Sequence, residues 1–395
     1  MKKSLLLSVL ILISSGLLAQ QTAAGANQDA NCTQKLRLAR AIYEQGRLHE
    51  LETLLAECLD LEKKPINQIG NFSTQERVDA LRLLCLSYIY LEEPAKADAA
   101  MLALLNTDKF YVINPSDPAE FQALYRTFRT DPVFAWGIKA GGNLTMSHNI
   151  KNYYVWSGAA GNTTYKPGGG ISVGGFIEKE FFQKLDKKHP LRRIVVRFEP
   201  LIQVKSNKYV NNSLDSYKIF PDKNITAVKS EAKFTNTWLD LNLILRYRLF
   251  PGAGWDPYIG LGPGGSFLIS SKVKQAKLNR RKMETDQGNY SRTVASDSYS
   301  GPDIDLKPFK TFNSYGTTLT ALYGVNKRFG SFYINAELRY QFGFNILVNS
   351  KYRSVPNLVD YGILFNDFRQ SSIQALVGVT FPYFKPKKFT NKRKK

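Results

Sequence analysis

Cysteine and histidine are scarce in this chain of 395 residues, which has three of each. It contains no CxxC pair and no Cys/His cluster, so the sequence predicts no metal site, and nothing in it points to a cofactor. Beyond the N-terminal segment there is no run of eighteen apolar residues, so we expect no transmembrane helix in the rest of the chain. No residue is therefore assigned as catalytic, metal-binding or cofactor-binding.

The N-terminal segment, residues 1–19, has two lysines, then an apolar run, then a small-residue exit that ends at Ala19. This order predicts a secretory signal peptide that is removed before Gln20. Its apolar run is shorter than the roughly twenty residues that a membrane-spanning helix needs. We therefore expect an exported protein that folds in an oxidising compartment.

Residues 33–128 place apolar side chains at helical spacing. The stretch that begins YEQG at Tyr43 aligns with the one that begins YLEE at Tyr90. This repeat resembles a pair of tetratricopeptide-type helical hairpins, which stack into a concave surface for proteins or peptides. A plain helical domain without a groove is the alternative. Partner contacts are expected at exposed residues of the hairpins, although several of these candidates would fit the core equally well: Tyr43, His49, Tyr88, Tyr90 and Tyr125.

The three cysteines lie in this helical region. Cys32 opens the first predicted helix, and Cys58 lies near the end of the second. These positions can become neighbours in an antiparallel hairpin, so we predict a Cys32–Cys58 disulfide. Cys85 lies within LRLLCLSY and is expected to be a buried, small apolar residue.

From about residue 135 the apolar residues alternate with polar ones, as in β-strands. In WLDLNLILRYRLF, which begins at Trp238, leucines take one side while Asp240, Arg246 and Arg248 take the other. Eight segments have this pattern, and each is long enough to cross a bilayer as a tilted strand. Their approximate spans are 135–148, 168–182, 192–208, 231–250, 255–271, 312–329, 332–349 and 366–382.

The connections between these segments alternate between short and long. Short turns follow the second, fourth and sixth segments, and the longest connection is a loop at 272–311. This pattern predicts an eight-stranded antiparallel transmembrane β-barrel over residues 135–384 in the outer membrane of a Gram-negative bacterium. The short turns should face the periplasm. The helical domain and the tail, residues 385–395, should therefore lie in the periplasm as well.

The polar side of the strands carries charges of both signs. A soluble, lipocalin-like barrel with its apolar side inward is the alternative, but these charges favour a polar interior within the membrane. An eight-stranded barrel leaves room for side chains and little else, so we expect a packed ionic plug rather than a pore. The predicted lumenal network comprises Arg197, Glu199, Asp240, Arg246, Arg248, Glu337 and Arg339.

Basic residues outnumber acidic ones, with a formal net charge of +21. A basic protein often binds nucleic acid, but an exported protein does not meet it, so we expect no nucleic-acid partner. We expect outer-membrane lipid and lipopolysaccharide to meet the barrel and its outer loops. The basic tail would meet phospholipid, peptidoglycan, an acidic protein or the protein's own acidic helical domain, unless it is simply solvated. The basic residues of the tail are Lys385, Lys387, Lys388, Lys392, Arg393, Lys394 and Lys395.

The order of these features resembles a known family. YEQGRLHELETLL and LRLLCLSYIYLEEPAKADAAMLALL are followed by FYVINPSDPAEF and by FRTDPVFAWGIKAGGNLT, which enters the predicted barrel. This arrangement resembles Bacteroidota outer-membrane proteins of the PorT-like β-barrel family that carry an N-terminal tetratricopeptide-like domain. The resemblance implies a part in an envelope machine for protein secretion or outer-membrane protein assembly, and it transfers no catalytic residue. Barrels of this family commonly end on an aromatic residue of the last strand, whereas in this chain the basic tail follows Phe384.

These features favour a non-enzymatic scaffold whose barrel anchors it and whose helical domain binds other envelope proteins in a hetero-oligomeric complex. Two alternatives remain open. One is a surface-binding barrel, such as an adhesin, that acts through loop 272–311. The other is a lipid A-modifying enzyme, for which only His148, at the outer end of the first strand, lies in a suitable place. Its neighbour Ser147 points to the opposite face of the strand.

Overall fold

The computed structural model describes residues 26–59, 72–153, 162–183, 185, 189–215, 224–250, 254–286 and 289–389. The predicted signal peptide lies outside the described residues, as do Lys392, Arg393, Lys394 and Lys395 of the tail. The chain divides into two compact units. One contains the helices together with the chain from residue 384 onward, and the other is the sheet of residues 133–383.

Five helices form the first unit, α1 (Ala26–Glu44), α2 (Glu50–Leu59), α3 (Thr74–Tyr90), α4 (Pro94–Thr107) and α5 (Ala119–Arg126). Ser73 caps α3, and its hydroxyl and the carboxylate of Glu76 satisfy each other's backbone N–H groups in a capping box. Pro94 starts α4, where its missing N–H costs nothing. A shared core of leucine and alanine side chains, including Leu51, Leu81 and Leu104, joins the helices.

A disulfide and the C-terminal segment complete the helical unit. Cys32 in α1 and Cys58 in α2 are bonded, with their Cα atoms 5.9 Å apart. Residues 384–389 run beside the end of α5, where Arg129 donates its N–H to Lys387 O at 2.9 Å. The ammonium group of Lys388 pairs with Asp98 of α4. Part of the basic tail is thus bound to the acidic helical unit, which was one of the open alternatives.

The strands are β1 (Phe134–Lys151), β2 (Asn162–Glu180), β3 (Ile194–Asp215), β4 (Asn224–Arg248), β5 (Trp255–Asp286), β6 (Asn289–Ser300), β7 (Ile304–Asp305), β8 (Tyr315–Phe329), β9 (Phe332–Gly343) and β10 (Asp367–Tyr383). In the described part of the chain they form one antiparallel sheet in the order β4-β3-β2-β1-β10-β9-β8-β5. Pairing of β4 with β5 closes these eight strands into a barrel. β6 and β7 pair only with β5.

The prediction that residues 272–311 form a loop is wrong, because most of this region is β-strand. β5 continues through this region to Asp286, and β6 returns antiparallel to it as a hairpin. The polar sequence there lacks the apolar alternation of the other strands, but backbone pairing to β4 and β6 supplies the hydrogen bonds of a sheet. The seventh predicted segment is also too long, since β9 ends at Gly343 rather than at residue 349.

The two ends of the barrel differ. At one end, called the short-turn end below, β8 and β9 are joined by Gly330 and Ser331, with Gly330 at a φ of +56° that favours glycine. The chain enters and leaves the barrel at this same end, where Val133 donates its N–H to Tyr383 O. The other end, the long-loop end, carries the extended strands and the β5–β6 hairpin. None of the described helices is long and apolar enough to span a membrane.

Side chains on the outside of the barrel form an apolar belt. Exposed members of this belt are Ile138, Leu144, Ile171, Val173, Ile177, Phe198, Ile202, Leu243, Leu245, Ile259, Leu261, Leu338, Ile373 and Val377. Gly262 of the GLGPGGS stretch allows close approach of two strands, because a Cβ there would lie 2.0 Å from Leu243 O. This geometry assigns the glycines a packing role.

The long-loop end is filled by a second apolar core. Inward-facing Tyr165, Tyr209 and Phe234 pack with Phe312 and Phe368, and the aromatic centroids lie 4.6 to 6.2 Å apart. Residues 304–312 and 347–365 also contribute to this core, together with Ala232, Trp238, Val273 and Ala276. The barrel interior therefore changes from polar in its middle to apolar at this end.

Candidate functional site

The candidate site is the polar interior of the barrel. Because side chains alternate between the two faces of a strand, every second residue of each strand points inward. The lumenal charge cluster is built in this way from six strands, and each of its side chains is buried or nearly so. It comprises Lys139, Glu178, Arg197, Glu199, Arg246, Tyr258, Glu337 and Arg339.

Glu337 is the centre of this cluster. Its carboxylate accepts hydrogen bonds from Lys139 at 3.0 Å and from Arg339 Nε at 2.9 Å. Tyr258 donates its hydroxyl to the same carboxylate at 2.5 Å, and Arg197 pairs with it as well. Four donors from four strands thus converge on one buried carboxylate.

Glu199 and Glu178 share these cations with Glu337, and Glu178 also binds Arg246. Glu199 accepts from Lys139 at 2.6 Å and from Arg339 Nη2 at 2.8 Å. Glu178 accepts from Arg197 Nε at 3.1 Å and also pairs with Arg246. The guanidinium of Arg246 lies over the Tyr258 ring, 3.6 Å from its centroid.

A smaller group lies on the long-loop side of the cluster. Lys205 lies 3.3 Å from Asp240 and donates to Gln341 at 3.0 Å. Gln341 also donates to Asp240 at 2.9 Å, and Gln374 donates to Gln341 at 3.1 Å. These side chains form a second hydrogen-bonded group between the charge cluster and the apolar core.

The arrangement suits a packed plug. Buried charges are costly unless they are paired and hydrogen-bonded. Every charged member of the cluster has an ion-pair partner, although Nε and Nη2 of Arg246 have no hydrogen-bond partner among the described residues. An eight-stranded barrel has an interior just wide enough for side chains. Here that interior is occupied by large buried side chains such as Arg197, Arg246 and Arg339. The cluster links the walls of the barrel through ion pairs between almost fully buried side chains.

The structure places the seven predicted lumenal residues in three groups. Arg197, Glu199, Arg246, Glu337 and Arg339 meet in the cluster, while Asp240 belongs to the group around Lys205. Arg248 lies outside both groups and pairs with Glu180 at 2.9 Å, near the short-turn end, where its side chain is 25% exposed. Arg248 is the last residue of β4, two residues beyond Arg246, so it lies at the rim of the barrel and does not reach the buried cluster.

The predicted lumenal network omitted four ionisable residues that also lie in the interior, namely Lys139, Glu178, Lys205 and Tyr258. The alternation of their strands places each of them on the inward face. Lys139 was recognisable by this signal, because Ile138 beside it points outward. Alternation along a single strand does not reveal which side chain of another strand each of these residues contacts.

The partner-contact candidates of the helical unit fall into two classes. Tyr88 and Tyr125 are only 3% and 7% exposed, which corrects their prediction as contact residues. Burial raises the pKa of the Tyr88 phenol to about 12, and the Tyr125 hydroxyl donates to Tyr111 O at 2.9 Å. Both are core residues because their rings lie on the apolar sides of α3 and α5. Tyr43 is half-buried against the same core, whereas His49 and Tyr90 are exposed.

His148 lies at the outer end of β1. Its Nε2 is 2.8 Å from Ser371 Oγ of the neighbouring strand β10, whereas Ser147 faces the other way. Within the described ranges no carboxylate is hydrogen-bonded to His148. No group of His, Cys, Asp and Glu side chains suited to a metal occurs among the described residues either.

Comparison with protein families gives a match over residues 129–349 to the outer membrane protein beta-barrel domain. This match spans more than half of the chain and covers β1 to β9. The chain belongs to this outer-membrane β-barrel family. The protein is accordingly an outer-membrane protein, and its closed eight-stranded sheet is the barrel of that family.

Three solved structures are similar to this chain at low sequence identity and low TM-score. OprG from Pseudomonas aeruginosa is 11% identical over 65% of this chain and 98% of its own, with a TM-score of 0.33. Neisserial surface protein A is 12% identical over 63% and 99%, with a TM-score of 0.27. Ail, the attachment invasion locus protein of Yersinia pestis, is 11% identical over 63% and 99%, with a TM-score of 0.23. Comparison with curated proteins gave no significant match.

Proposed function

We propose that this protein is a non-enzymatic scaffold, anchored by its barrel in the outer membrane, whose helical unit binds another envelope protein. The short-turn end would face the periplasm, as short turns do in bacterial outer-membrane barrels. The chain enters the barrel at Phe134 and leaves it at Tyr383, both at this end. The helical unit would then lie on the periplasmic side.

The packed interior of the barrel carries this proposal. Glu337 and its partners occupy the middle of the barrel as fully buried ion pairs, so passage of a solute would require breaking them. A barrel closed in this way acts through its surfaces rather than through a channel. The helical unit is the largest part of the described chain outside the barrel.

The form of the helical unit suits protein binding. α1 with α2 and α3 with α4 make two consecutive helical hairpins, and we infer that they are tetratricopeptide-like. Such hairpins present side chains on a stacked surface to a protein or peptide. Tyr90 is 50% exposed at the end of α3, and His49 is exposed just before α2. An envelope machine for secretion or for outer-membrane protein assembly is the class of complex that we propose.

Site-specific photocrosslinking in cells tests the proposal. A benzophenone amino acid would replace His49 or Tyr90, and the matched control would replace Tyr299, an exposed tyrosine of the β6 hairpin. We expect the same envelope protein to be crosslinked from His49 and Tyr90 and not from Tyr299. Mass spectrometry would identify it, and a tagged full-length copy should co-purify with it.

Deletion of residues 26–130 provides the decisive comparison. This variant keeps the barrel, and loss of the co-purifying protein is expected. Unchanged co-purification without the helical unit, or crosslinks that arise from Tyr299 alone, would rule out the scaffold role.

Ligand binding at the cell surface is the second candidate function, and the β5–β6 hairpin favours it. β5 has 32 residues, whereas a tilted strand needs roughly nine to eleven to cross the bilayer. The hairpin therefore extends well beyond the membrane. Deletion of residues 277–300 would abolish binding of cells to a host surface under this function, while the scaffold function predicts that the complex with the envelope protein survives.

Modification of lipid A by His148 is a remote third candidate. Its contact with Ser371 is the one observation that favours it. Replacement of His148 by Ala, followed by mass spectrometry of lipid A, would eliminate this activity if the lipid profile stays unchanged.

A further inference from the structure

Four lysines form a continuous row across four neighbouring strands near the long-loop end. Lys166 of β2 lies directly opposite Lys208 of β3, Lys208 opposite Lys233 of β4, and Lys233 opposite Lys274 of β5. All four are exposed. We call these four residues the lysine row. Adjacent strands are about 4.8 Å apart, so the row spans roughly 14 Å.

The lysine row lies on the outer face of the barrel. Each of its lysines is next in sequence to an inward-facing residue of the apolar core, and side chains of consecutive residues point to opposite faces. These inward neighbours are Tyr165, Tyr209, Phe234 and Val273. On β4 the alternation continues without a break from Lys233 to Leu245. The lysine row is thus on the same face as the apolar belt.

The height of the lysine row above the apolar belt indicates which kind of lipid headgroup it can reach. On β3, six residues separate Ile202 of the apolar belt from Lys208 of the lysine row, which is roughly 20 Å along the strand. With the usual strand tilt of about 40° the vertical distance is about 15 Å. The headgroup layer of a phospholipid bilayer is only about 5–8 Å thick on each side. The lysine row therefore lies at the level of a thicker, sugar-containing headgroup rather than a phospholipid headgroup.

Positive charge in the lysine row is poorly neutralised. Glu231 pairs with Lys208 at 3.3 Å and with Lys229 at 2.8 Å. Within the described ranges no other carboxylate forms an ion pair with the lysine row. Like charges directly opposite each other on a sheet are destabilising. Such a row costs stability unless a bound anion offsets the repulsion.

We propose that the lysine row binds the phosphate groups of the sugar headgroup of the outer-leaflet glycolipid, lipopolysaccharide. The acyl chains of the same molecule would lie against the apolar belt below, for example at Ile202 and Leu243. A soluble polyanion has no reason to require an apolar surface on the same face. The site rests on the membrane orientation proposed above, but not on partner binding by the helical unit.

A triple variant, Lys166→Gln, Lys233→Gln and Lys274→Gln, tests this site and leaves the Glu231–Lys208 pair intact. The matched control is Lys109→Gln, Lys351→Gln and Lys385→Gln, which removes the same charge from exposed positions outside the row. Affinity would be measured with the full-length protein in zwitterionic detergent. The probes are phosphorylated rough lipopolysaccharide, the same material after chemical dephosphorylation, phosphatidylglycerol and inorganic phosphate.

We expect the wild-type protein to bind phosphorylated lipopolysaccharide at least tenfold more tightly than the dephosphorylated form. The triple variant should lose this preference, while the control variant should stay within twofold of wild type. In the absence of glycolipid the triple variant should unfold at a higher urea concentration than the wild type, because the repulsion within the row is removed. This second readout does not depend on any ligand.

The proposal fails if the triple variant and the control variant bind phosphorylated lipopolysaccharide equally, or if dephosphorylation has no effect. Equal affinity for phosphatidylglycerol, or complete competition by inorganic phosphate, would exclude the glycolipid headgroup as the specific ligand. Orientation is tested separately with Thr164→Cys, which a membrane-impermeant maleimide should label on intact cells. Failure of that labelling would refute the orientation, whereas loss of the envelope partner alone would leave the lysine row unaffected.

Discussion

Replacement of Glu337 by Gln should strongly destabilise the barrel, although the two side chains have nearly the same shape. The lumenal charge cluster has four cations, Lys139, Arg197, Arg246 and Arg339, and three carboxylates, Glu178, Glu199 and Glu337. Glu337 pairs with three of these cations. Its neutralisation leaves four buried cations with two carboxylates.

Breaking a buried ion pair by removing one partner costs about 3–5 kcal/mol, because the remaining charge stays buried without compensation. We expect Glu337→Gln to fall in this range. The matched control is Glu180→Gln, which affects a partly exposed pair with Arg248 and should cost about 1 kcal/mol or less. Adding Lys139→Met to Glu337→Gln removes one of the excess cations. The double variant should therefore recover part of the lost stability.

The assay is urea unfolding of the refolded protein in detergent or lipid vesicles, followed by tryptophan fluorescence. Trp136, Trp238 and Trp255 all lie on barrel strands, so the signal reports the barrel. If Glu337→Gln costs no more than Glu180→Gln, the cluster is hydrated rather than tightly packed. The reasoning on the closed interior would then be refuted, and with it the main support for the scaffold proposal.

Three further predictions concern the helical unit. Replacement of both Cys32 and Cys58 by Ser should lower its stability by about 3–4 kcal/mol, because the disulfide closes a loop with a sequence separation of 26 residues; urea unfolding of the full-length protein, followed by the circular dichroism of its helices, measures this, and an unchanged midpoint would contradict it. Truncation after Tyr383 should speed hydrogen exchange at the Arg129 amide, which donates to Lys387 O, while exchange in the barrel strands stays constant; unchanged protection of Arg129 would exclude a structural role for the tail. Hydrogen bonds from Thr33 and Ser73 lower the pKa of the Glu76 carboxyl, so its stabilising effect is complete above the ordinary carboxyl pKa and is lost as pH falls through the lowered value. Glu76→Gln should therefore show a smaller loss of stability between pH 7 and pH 3 than the wild type, and equal losses would disprove this.

Much of the barrel was predictable because alternation is a local property of the sequence. Ile138 and Lys139 already indicate the two faces of β1, and the same reasoning placed Arg197 and Glu337 in the interior. The number of barrel strands follows from counting such segments. The polar hairpin of β5 and β6 escaped this reasoning, because it lies beyond the membrane region, where no apolar belt imposes alternation.

The tertiary structure alone decided which side chains meet. Lys139 and Glu337 are neighbours because β1 and β9 both border β10 in the closed sheet, a relation that no local pattern contains. The same is true of Tyr88, whose burial depends on the packing of other helices against α3. The sequence by itself determined the faces of the strands, since side-chain direction follows residue by residue along the backbone. The partners across the lumen, and the alignment of lysines into a row, required the strand register, which the whole closed barrel sets.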